Sequence, residues 1–363
     1  MRLTCASPRL GLRSAGLPDP AADAPLVAAT ITGLVLRQLA NPDPDVEATV
    51  LRPALERLFA SPGPRHARPS QLNDIAPARA SPRPRARLVM LAPVKSAGGL
   101  AYRESGSQDG PVALLVHGYP ESSYMWREVL PALEEAGWRA IAPDLAGFGD
   151  SKPDPPGTWE RHVDSIERFR RELGIERCVL VVHDWGGLIG LRWACEHPDA
   201  VAALVISSTG FFSDGKWHGM AEALRTPGTG EQVLETIDRD SFGGLLRSVS
   251  PAMSDDALDE YWKAYTDEGR RRGQLELYRS GDFEALARYD RAALERPVLL
   301  VWGEKDEFAP VAGAHRFERE LSDTELVVID GAGHFVWEDA PRACAAALTA
   351  FLARIPASSD SST

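Results

Sequence analysis

Val179-Leu180-Val181-Val182-His183-Asp184-Trp185-Gly186-Gly187 is the stretch that decides the fold of this chain. An apolar strand runs into a sharp turn at Asp184, and a glycine pair opens the helix that follows. A carboxylate is ionised at pH 7, because its unperturbed pKa is about 3.9, so it needs no base before it attacks carbon. Such a group attacks an electrophilic sp3 carbon and leaves an ester on the enzyme. The alternative role for Asp184 is a helix N-cap, for which Asp is a favoured residue.

The bulk composition is that of a globular protein. The chain has 363 residues, of which 44% are hydrophobic and 25% charged, and such values are ordinary for folded domains. The net charge of -12 repels phosphate groups and therefore argues against nucleic acid as a partner. No run of 18 apolar residues occurs, so we expect no membrane-spanning helix and no membrane partner.

The cysteines indicate a reducing compartment. Cys5, Cys178, Cys195 and Cys344 lack the spacing of metal ligands, and the last three lie in apolar periodic segments, where buried free thiols are expected. We therefore predict a cytoplasmic protein. No cluster of candidate ligands supports a metal site.

Residues 1–86 differ in composition from the rest of the chain. They hold 13 of the 28 prolines, 11 arginines, no lysine and one aromatic residue, Phe59, which is poor material for a core. The segment from Val46 to Phe59 has helical spacing, but no apolar stretch near Met1 has the form of a signal peptide. We expect a disordered Pro/Arg-rich extension or a start codon assigned too early.

From residue 87 onward, short apolar runs alternate with helical patterns. This alternation predicts an α/β fold, with a mostly parallel central sheet flanked by helices. The pattern breaks at residues 211–294, which are helical, charged and rich in Trp and Tyr. We interpret that stretch as an inserted helical cap. The core then comprises residues 87–210 and 295–355, and residues 356–363 form a flexible tail.

Three further motifs accompany Asp184. His117-Gly118-Tyr119-Pro120 follows a buried strand, and its turn can aim the Tyr119 amide into the same site. The Trp185 amide lies at a helix N-terminus, where anions are favoured. Together these two amides are the candidate oxyanion hole.

An acid and a histidine come later in the chain. Asp306 follows a strand within Trp302–Asp306, and His334 lies among small residues in Gly331–Phe335. The stretch after the strand ending at Ile206 holds no carboxylate, which favours Asp306 as the acid, with Glu304 and Glu307 as alternatives. The order Asp184, Asp306, His334 is that of a nucleophile, an acid and a histidine.

With these motifs, the chain resembles the Asp-nucleophile branch of the α/β-hydrolase superfamily, which contains haloalkane dehalogenases and epoxide hydrolases. The resemblance covers about residues 87 to 355 and is carried by His117–Pro120, Asp144–Ser151, Val182–Gly187, Asp306 and Gly333-His334. It implies the α/β-hydrolase fold, a small hydrophobic organic substrate, no metal or organic cofactor, and a monomer or small homo-oligomer.

The resemblance leaves two main activities open. The Val-His-Asp-Trp-Gly sequence is similar to that of dehalogenases, in which the indole at the position of Trp185 holds the departing halide. A second donor from the cap is then implied, with Trp217 as the candidate and Trp262 in reserve. The His117–Pro120 loop instead resembles epoxide hydrolases, which protonate the opening oxygen with cap tyrosines, and Tyr278 is the candidate here.

We therefore expect a haloalkane dehalogenase that gives alcohol and halide. The first alternative is an epoxide hydrolase that gives a diol. Two further readings stay open: another hydrolase of the aspartate branch, such as a fluoroacetate-type enzyme, and a non-catalytic ligand-binding protein on the same fold.

Overall fold

The computed structural model describes residues 92–356. The predicted extension of residues 1–86 lies outside the described residues, as does the predicted tail of residues 356–363 beyond residue 356. Eight strands make one sheet: β1 Lys95–Ala97, β2 Leu100–Ser105, β3 Val112–Val116, β4 Arg139–Pro143, β5 Cys178–His183, β6 Val201–Ser207, β7 Val298–Gly303 and β8 Thr324–Ile329.

The sheet is mostly parallel, as the alternating pattern predicts. Its strand order is β1-β2-β4-β3-β5-β6-β7-β8. The β1–β2 and β2–β4 pairs are antiparallel, and the other pairs are parallel. Strands β3, β5, β6 and β7 are almost entirely apolar because they lie in the middle of the sheet, covered on both faces. The α/β fold prediction is confirmed.

Helices connect and cover the strands. Those outside the β6–β7 connection are α1 Val129–Glu135, α2 Trp159–Glu172, α3 Trp185–Glu196, α9 Ala312–Glu320, α10 Val336–Asp339 and α11 Pro341–Leu352. They pack in pairs, α2 against α3 and α1 against α11. Short 3-10 turns occur at Ser123–Trp126, Pro198–Ala200, Lys263–Tyr265, Glu284–Arg288 and Arg291–Leu294.

Five helices lie between β6 and β7, in the stretch interpreted as a cap. They are α4 Gly219–Arg225, α5 Thr229–Thr236, α6 Arg239–Val249, α7 Asp255–Trp262 and α8 Glu268–Ser280. Helix α8 is joined to the start of α2 and the residues just before it by two hydrogen bonds, Gly157 N to Glu276 Oε2 at 2.6 Å and Trp159 N to Ser280 Oγ at 2.8 Å. These bonds connect the helical segment to the part of the chain around the start of α2.

The parallel strands determine where the motifs meet. Strands β3, β5, β6, β7 and β8 run the same way, so the loops that follow them share one edge of the sheet. In the β5–β6 register, His183 pairs with Ser207. The residues at 117, 184, 306 and 334 all follow strand ends, which is where ligand sites form in open α/β sheets.

Candidate active site

Asp184 occupies a strained turn between β5 and α3. Its backbone angles are φ 48° and ψ −121°, a left-handed conformation that is costly for a residue other than glycine. Its carbonyl accepts hydrogen bonds from the Gly187 amide at 2.8 Å and from Thr209 Oγ1 at 2.7 Å, which fix the turn. Its side chain makes no capping hydrogen bond. The N-cap role is therefore wrong for this carboxylate, which remains available to the site.

The loop after β3 approaches Asp184 closely. A Cβ at Gly118 would lie 2.5 Å from the Asp184 Cβ, so only glycine permits this approach. The Tyr119 amide donates to Asp184 Oδ1 at 2.7 Å, and the Trp185 amide lies in the first turn of α3. The structure thus places the Tyr119 amide on the carboxylate and the Trp185 amide in the residue directly after it.

Asp306 and His334 come from the ends of β7 and β8. Nδ1 of His334 lies 3.0 Å from Asp306 Oδ1 and 3.1 Å from Oδ2. Nε2 of the same ring lies 3.5 Å from Asp184 Oδ2. Asp306 Oδ1 also accepts from the amides of Phe308 and Ala309, at 3.0 and 2.9 Å. The acid is therefore held in place, and its hydrogen bond orients the imidazole.

The two alternative acids lie elsewhere. Glu304 accepts a hydrogen bond from the Gly331 amide at 2.9 Å, and the side chains of Glu304 and Glu307 are exposed, whereas Asp306 is buried. The geometry therefore favours Asp306 as the partner of His334.

Charge coupling shifts the pKa values of the two groups that face each other. Burial would raise the pKa of Asp184, but the hydrogen bond and the positive charge of His334 lower it below its usual value. Burial would lower the pKa of His334, but the charges of Asp306 and Asp184 raise it well above its usual value. The resting pair is consequently a carboxylate facing an imidazolium.

An aromatic wall lies beside the carboxylate. Trp217 stacks on Trp185, with ring centroids 5.4 Å apart and planes at 23°. The Tyr278 ring meets Trp185 edge-on at 5.2 Å. The three candidate substrate-binding side chains, Trp185, Trp217 and Tyr278, are therefore brought together.

Trp262, the reserve candidate, packs in another cluster. Its ring stacks on Tyr265, with centroids 5.2 Å apart and planes at 6°, and it also contacts Phe242. Tyr265 in turn shares a hydrogen bond of 2.8 Å between its hydroxyl and that of Tyr119. Trp262 thus lies behind Tyr265, whereas Trp217 lies against Trp185.

His218 is a site neighbour that none of the sequence motifs includes. Its Nδ1 accepts from the Ala221 amide at 3.4 Å, so it caps α4. Its ring packs on Phe308 at 5.0 Å, and Phe308 packs on His334 at 5.2 Å. Burial lowers the pKa of His218 to about 4, which makes it a neutral imidazole beside the triad. The sequence around His218 shows only a residue that can cap a helix, and no motif spacing indicates that it lies beside the triad.

Two features of the described residues concern metals and membranes. Between residues 92 and 356, no three His, Cys, Asp or Glu side chains form a group that could hold a metal ion. Within the same range, the helices are too short or too polar to cross a membrane.

Comparison with known proteins identifies the family. A model of the α/β hydrolase fold matches residues 111–341, which is more than half of the chain. The chain belongs to the α/β hydrolase family. A second model, of the C-terminal domain of tetracyclin repressor-like proteins, matches residues 9–61, which lie outside the described residues.

Curated α/β hydrolase relatives include several activities. A haloalkane dehalogenase of Bradyrhizobium diazoefficiens is 32% identical over 71% of this chain and 92% of that protein. A cis-3-alkyl-4-alkyloxetan-2-one decarboxylase of Xanthomonas campestris is 30% identical over 71% of this chain and 93% of its own. Epoxide hydrolase A of Mycobacterium tuberculosis is 28% identical over 69% of this chain and 92% of that protein.

Solved structures agree on the fold of this α/β hydrolase. The haloalkane dehalogenase DbeA from Bradyrhizobium elkani superimposes with a TM-score of 0.60 at 26% identity, covering 72% of this chain and 97% of that one. The predicted resemblance to the dehalogenase and epoxide hydrolase group of this family is confirmed, and its members are hydrolases.

Proposed function

We propose that this α/β hydrolase is a haloalkane dehalogenase, which displaces halide from saturated carbon through an ester on Asp184. The observation that carries the proposal is Trp185, which directly follows Asp184 in the chain and whose buried indole stacks against Trp217. An indole N–H is a donor only, which suits a departing anion. The dehalogenases among the relatives support the same activity.

The geometry assigns different roles to the two carboxylate oxygens. Oδ1 is held by the Tyr119 amide at 2.7 Å, whereas Oδ2 faces His334 Nε2 at the longer distance of 3.5 Å. Oδ2 is therefore the attacking oxygen. As the Oδ2–carbon bond forms, the carbon–halogen bond breaks and the halide leaves with the electron pair. The acceleration comes from held geometry, since the carboxylate is already ionised.

The second step hydrolyses the ester. Esterification removes the charge of Asp184, which is one of the two charges that raise the pKa of His334. His334 then loses its proton, and its Nε2 takes a proton from water as the water oxygen attacks the ester carbonyl. Oδ1 becomes the oxyanion and already lies at the Tyr119 amide. The ester C–O bond breaks and the alcohol leaves with the proton from His334. The remaining water hydrogen, now on the Asp184 carboxyl group, passes to His334 and restores the carboxylate facing an imidazolium.

Epoxide opening is the second candidate. The Tyr278 hydroxyl is buried next to the Trp185 indole, where it could protonate an opening oxygen. The Tyr265 hydroxyl is hydrogen-bonded to the Tyr119 hydroxyl and is therefore not a second free donor beside Tyr278. This arrangement supports one tyrosine donor but not the paired donors that epoxide hydrolases use.

Substrate profiling of the purified full chain tests the proposal. The panel contains short bromo- and chloroalkanes, a terminal epoxide, and a cis-dialkyl oxetan-2-one of the kind named for the Xanthomonas relative. Halide release that disappears in Asp184→Ala supports the dehalogenase. Turnover of the epoxide or the lactone without halide release contradicts it, and loss of epoxide turnover in Tyr278→Phe would then favour the second candidate.

Three further assignments, of the domains, the substrate class and the location, accompany this function. We propose residues 211–294 as the cap over a core of residues 87–210 and 295–355, supported by the five helices between β6 and β7. The substrate is a small hydrophobic halogenated compound. A cytoplasmic location is supported by the free thiols of Cys178, Cys195 and Cys344, which are typical of reducing compartments.

A further inference from the structure

Behind the triad lies a second pair of titratable groups, Glu121 and His183, which the reaction does not use directly. Glu121 follows the loop that carries the Tyr119 amide, and His183 directly precedes Asp184. Both side chains are completely buried, with His183 Nε2 3.3 Å from Glu121 Oε2. The His183 ring lies 5.1 Å from the His334 ring. The protonation of this pair therefore bears on His334.

The hydrogen bonds of Ser207 determine the tautomer of His183. Ser207 Oγ lies 3.0 Å from the carbonyl of Val182, which can only accept, so the one hydroxyl hydrogen is used there. Ser207 Oγ also accepts from Trp337 Nε1 at 2.8 Å. Its contact of 3.2 Å with His183 Nδ1 must consequently be donated by the histidine. A neutral His183 therefore carries its proton on Nδ1 and turns a bare Nε2 lone pair toward Glu121.

The surroundings of Glu121 disfavour its charged form. Within the part of the chain that the structure describes, Glu121 Oε1, Glu121 Oε2 and His183 Nε2 are all buried without a hydrogen-bond partner of ordinary geometry. A proton placed in the 3.3 Å contact between Glu121 Oε2 and His183 Nε2 would satisfy both side chains. Burial raises the pKa of Glu121 well above its usual value, and the nearby Asp184 and Glu338 raise it further, against His334 and the Gly118 amide, which lower it. Burial also lowers the pKa of His183 to about 3. One proton between the two groups accordingly belongs to the acid.

We propose that Glu121 is a positioning residue, a neutral carboxylic acid whose O–H is donated to Nε2 of His183 and keeps that imidazole neutral beneath the triad. The charged and titratable groups that face the pair are Asp184, Asp306, Glu338, His117 and His334. His117 is itself neutral, because the Leu145 amide donates to its Nε2 at 2.9 Å and burial lowers its pKa to about 4.

The catalytic consequence rests on the proposed function. A His183 cation would repel the His334 imidazolium across 5.1 Å. A Glu121 anion would add a third carboxylate beside Asp184 and Asp306 and would favour the protonated form of His334. Ester hydrolysis requires His334 to lose that proton. With the pair neutral, Asp306 favours the proton on His334 in both steps, and the change between the steps comes from the charge of Asp184.

The first test needs no activity. Nitrogen-15 NMR of the histidine side chains in the full-length protein reports which ring nitrogen carries the proton, and His183 is assigned by comparison with His183→Gln. We expect the Nδ1–H form of His183, unchanged from pH 5 to pH 9. An imidazolium signal, or the Nε2–H form, overturns the proposal. A protein that shows the Nδ1–H form but releases no halide keeps this proton assignment and loses only the proposed dehalogenase activity.

The second test separates positioning from packing. Glu121→Gln keeps a donor for His183 but cannot ionise, so ester hydrolysis should stay within about threefold of the wild type across the pH range. Glu121→Met fills the space without a donor and should slow that step about 100-fold, with the ester accumulating. Glu128→Gln is the control, because Glu128 lies outside the site. A glutamine variant as slow as the methionine variant shows that Glu121 acts as a charge, and a methionine variant at full rate removes its positioning role.

Discussion

Trp217 stacks on Trp185 with ring centroids 5.4 Å apart, so a residue of the helical segment after β6 completes the wall begun by the residue that follows Asp184. A Cβ at Gly281 would lie 2.7 Å from Trp217 Cζ2 and 2.8 Å from Trp185 Cη2. Gly281, at the end of α8, therefore packs closely against both indoles and limits how they can move relative to each other. Trp185 and Trp217 are far apart in the sequence, so their contact could not be predicted from it. The contact joins the core to the segment interpreted as a cap.

Replacing Trp217 tests its role as the second halide donor. Trp217→Phe keeps an aromatic ring against Trp185 but removes the N–H, and the halide-forming step should slow by about 100-fold. Rapid-quench measurement of halide release gives that rate. Trp262→Phe is the matched control, because Trp262 stacks on Tyr265 instead, and it should change the rate little. Equal effects of the two variants would assign Trp217 to packing.

The ester on Asp184 can be trapped. His334→Gln removes the base for hydrolysis but leaves the carboxylate, so one equivalent of halide should appear and turnover should fall by about 1,000-fold or more. Mass spectrometry of proteolytic fragments should then locate the alkyl group on Asp184. Asp184→Ala should give neither halide nor adduct. An adduct on another residue would overturn the assignment of the nucleophile.

Asp306 is expected to act through His334. Asp306→Asn keeps the size of the side chain but can turn its amide toward Nδ1, which would favour the wrong imidazole tautomer, and turnover should fall by about 1,000-fold. Single-turnover kinetics should show slow ester hydrolysis with the halide-forming step largely retained. Glu304→Gln serves as the control, since Glu304 binds the Gly331 amide on an exposed loop. Loss of the first step in Asp306→Asn would contradict this division of roles.

The two steps should respond differently to pH. The pKa of Asp184 lies below the usual aspartate value of 3.8, so the carboxylate stays ionised and halide formation continues at pH 5. The pKa of His334 lies well above 6.5 before the ester forms. The protonated imidazole is no base, so lowering the pH should cause the ester to accumulate in the wild-type protein. Acid quenching after incubation at pH 5 and pH 8 measures this, and equal ester occupancy at both would contradict it.

The raised pKa of His334 also predicts how the free energy of unfolding depends on pH. Because the folded-state pKa of His334 is raised, its ion pairs stabilise the protein fully below pH 6.5, and this contribution is lost as the pH rises through the folded-state value. The difference in free energy of unfolding between wild type and His334→Gln should therefore shrink toward alkaline pH. Denaturant titrations at pH 6 and pH 9 provide the comparison.

A buried ion pair should contribute to stability. Arg127 donates to both oxygens of Glu338, at 2.5 and 2.7 Å, and Tyr261 also donates to Glu338. Arg127→Met would leave a completely buried carboxylate without its cation and should lower the free energy of unfolding by about 3–5 kcal/mol. Arg161→Met, which removes a half-exposed pair with Asp154, should cost less than about 1 kcal/mol. Urea unfolding distinguishes the two, and equal losses would contradict the role of burial.

Local pattern was sufficient for much of the fold. Apolar runs that alternate with helical spacing predicted the central strands and the helices between them, because buried parallel strands and amphipathic helices leave characteristic periods in the sequence. The three-residue edge strand Lys95–Ala97 and the helix Ala312–Glu320 were not predicted. A strand of three residues, two of them exposed, is too short for its period to stand out.

The sequence by itself determined the chemistry of this protein: a carboxylate at the turn of Val179–Gly187, with an acid and a histidine after later strands. Only the tertiary structure decided which side chains meet. It brought Asp306 rather than Glu304 to His334, Trp217 rather than Trp262 to Trp185, and His218 and Glu121 to the surroundings of the triad. The physical reason is that residue type and spacing are local properties, whereas these contacts depend on strand register and on helices packed across the sheet edge.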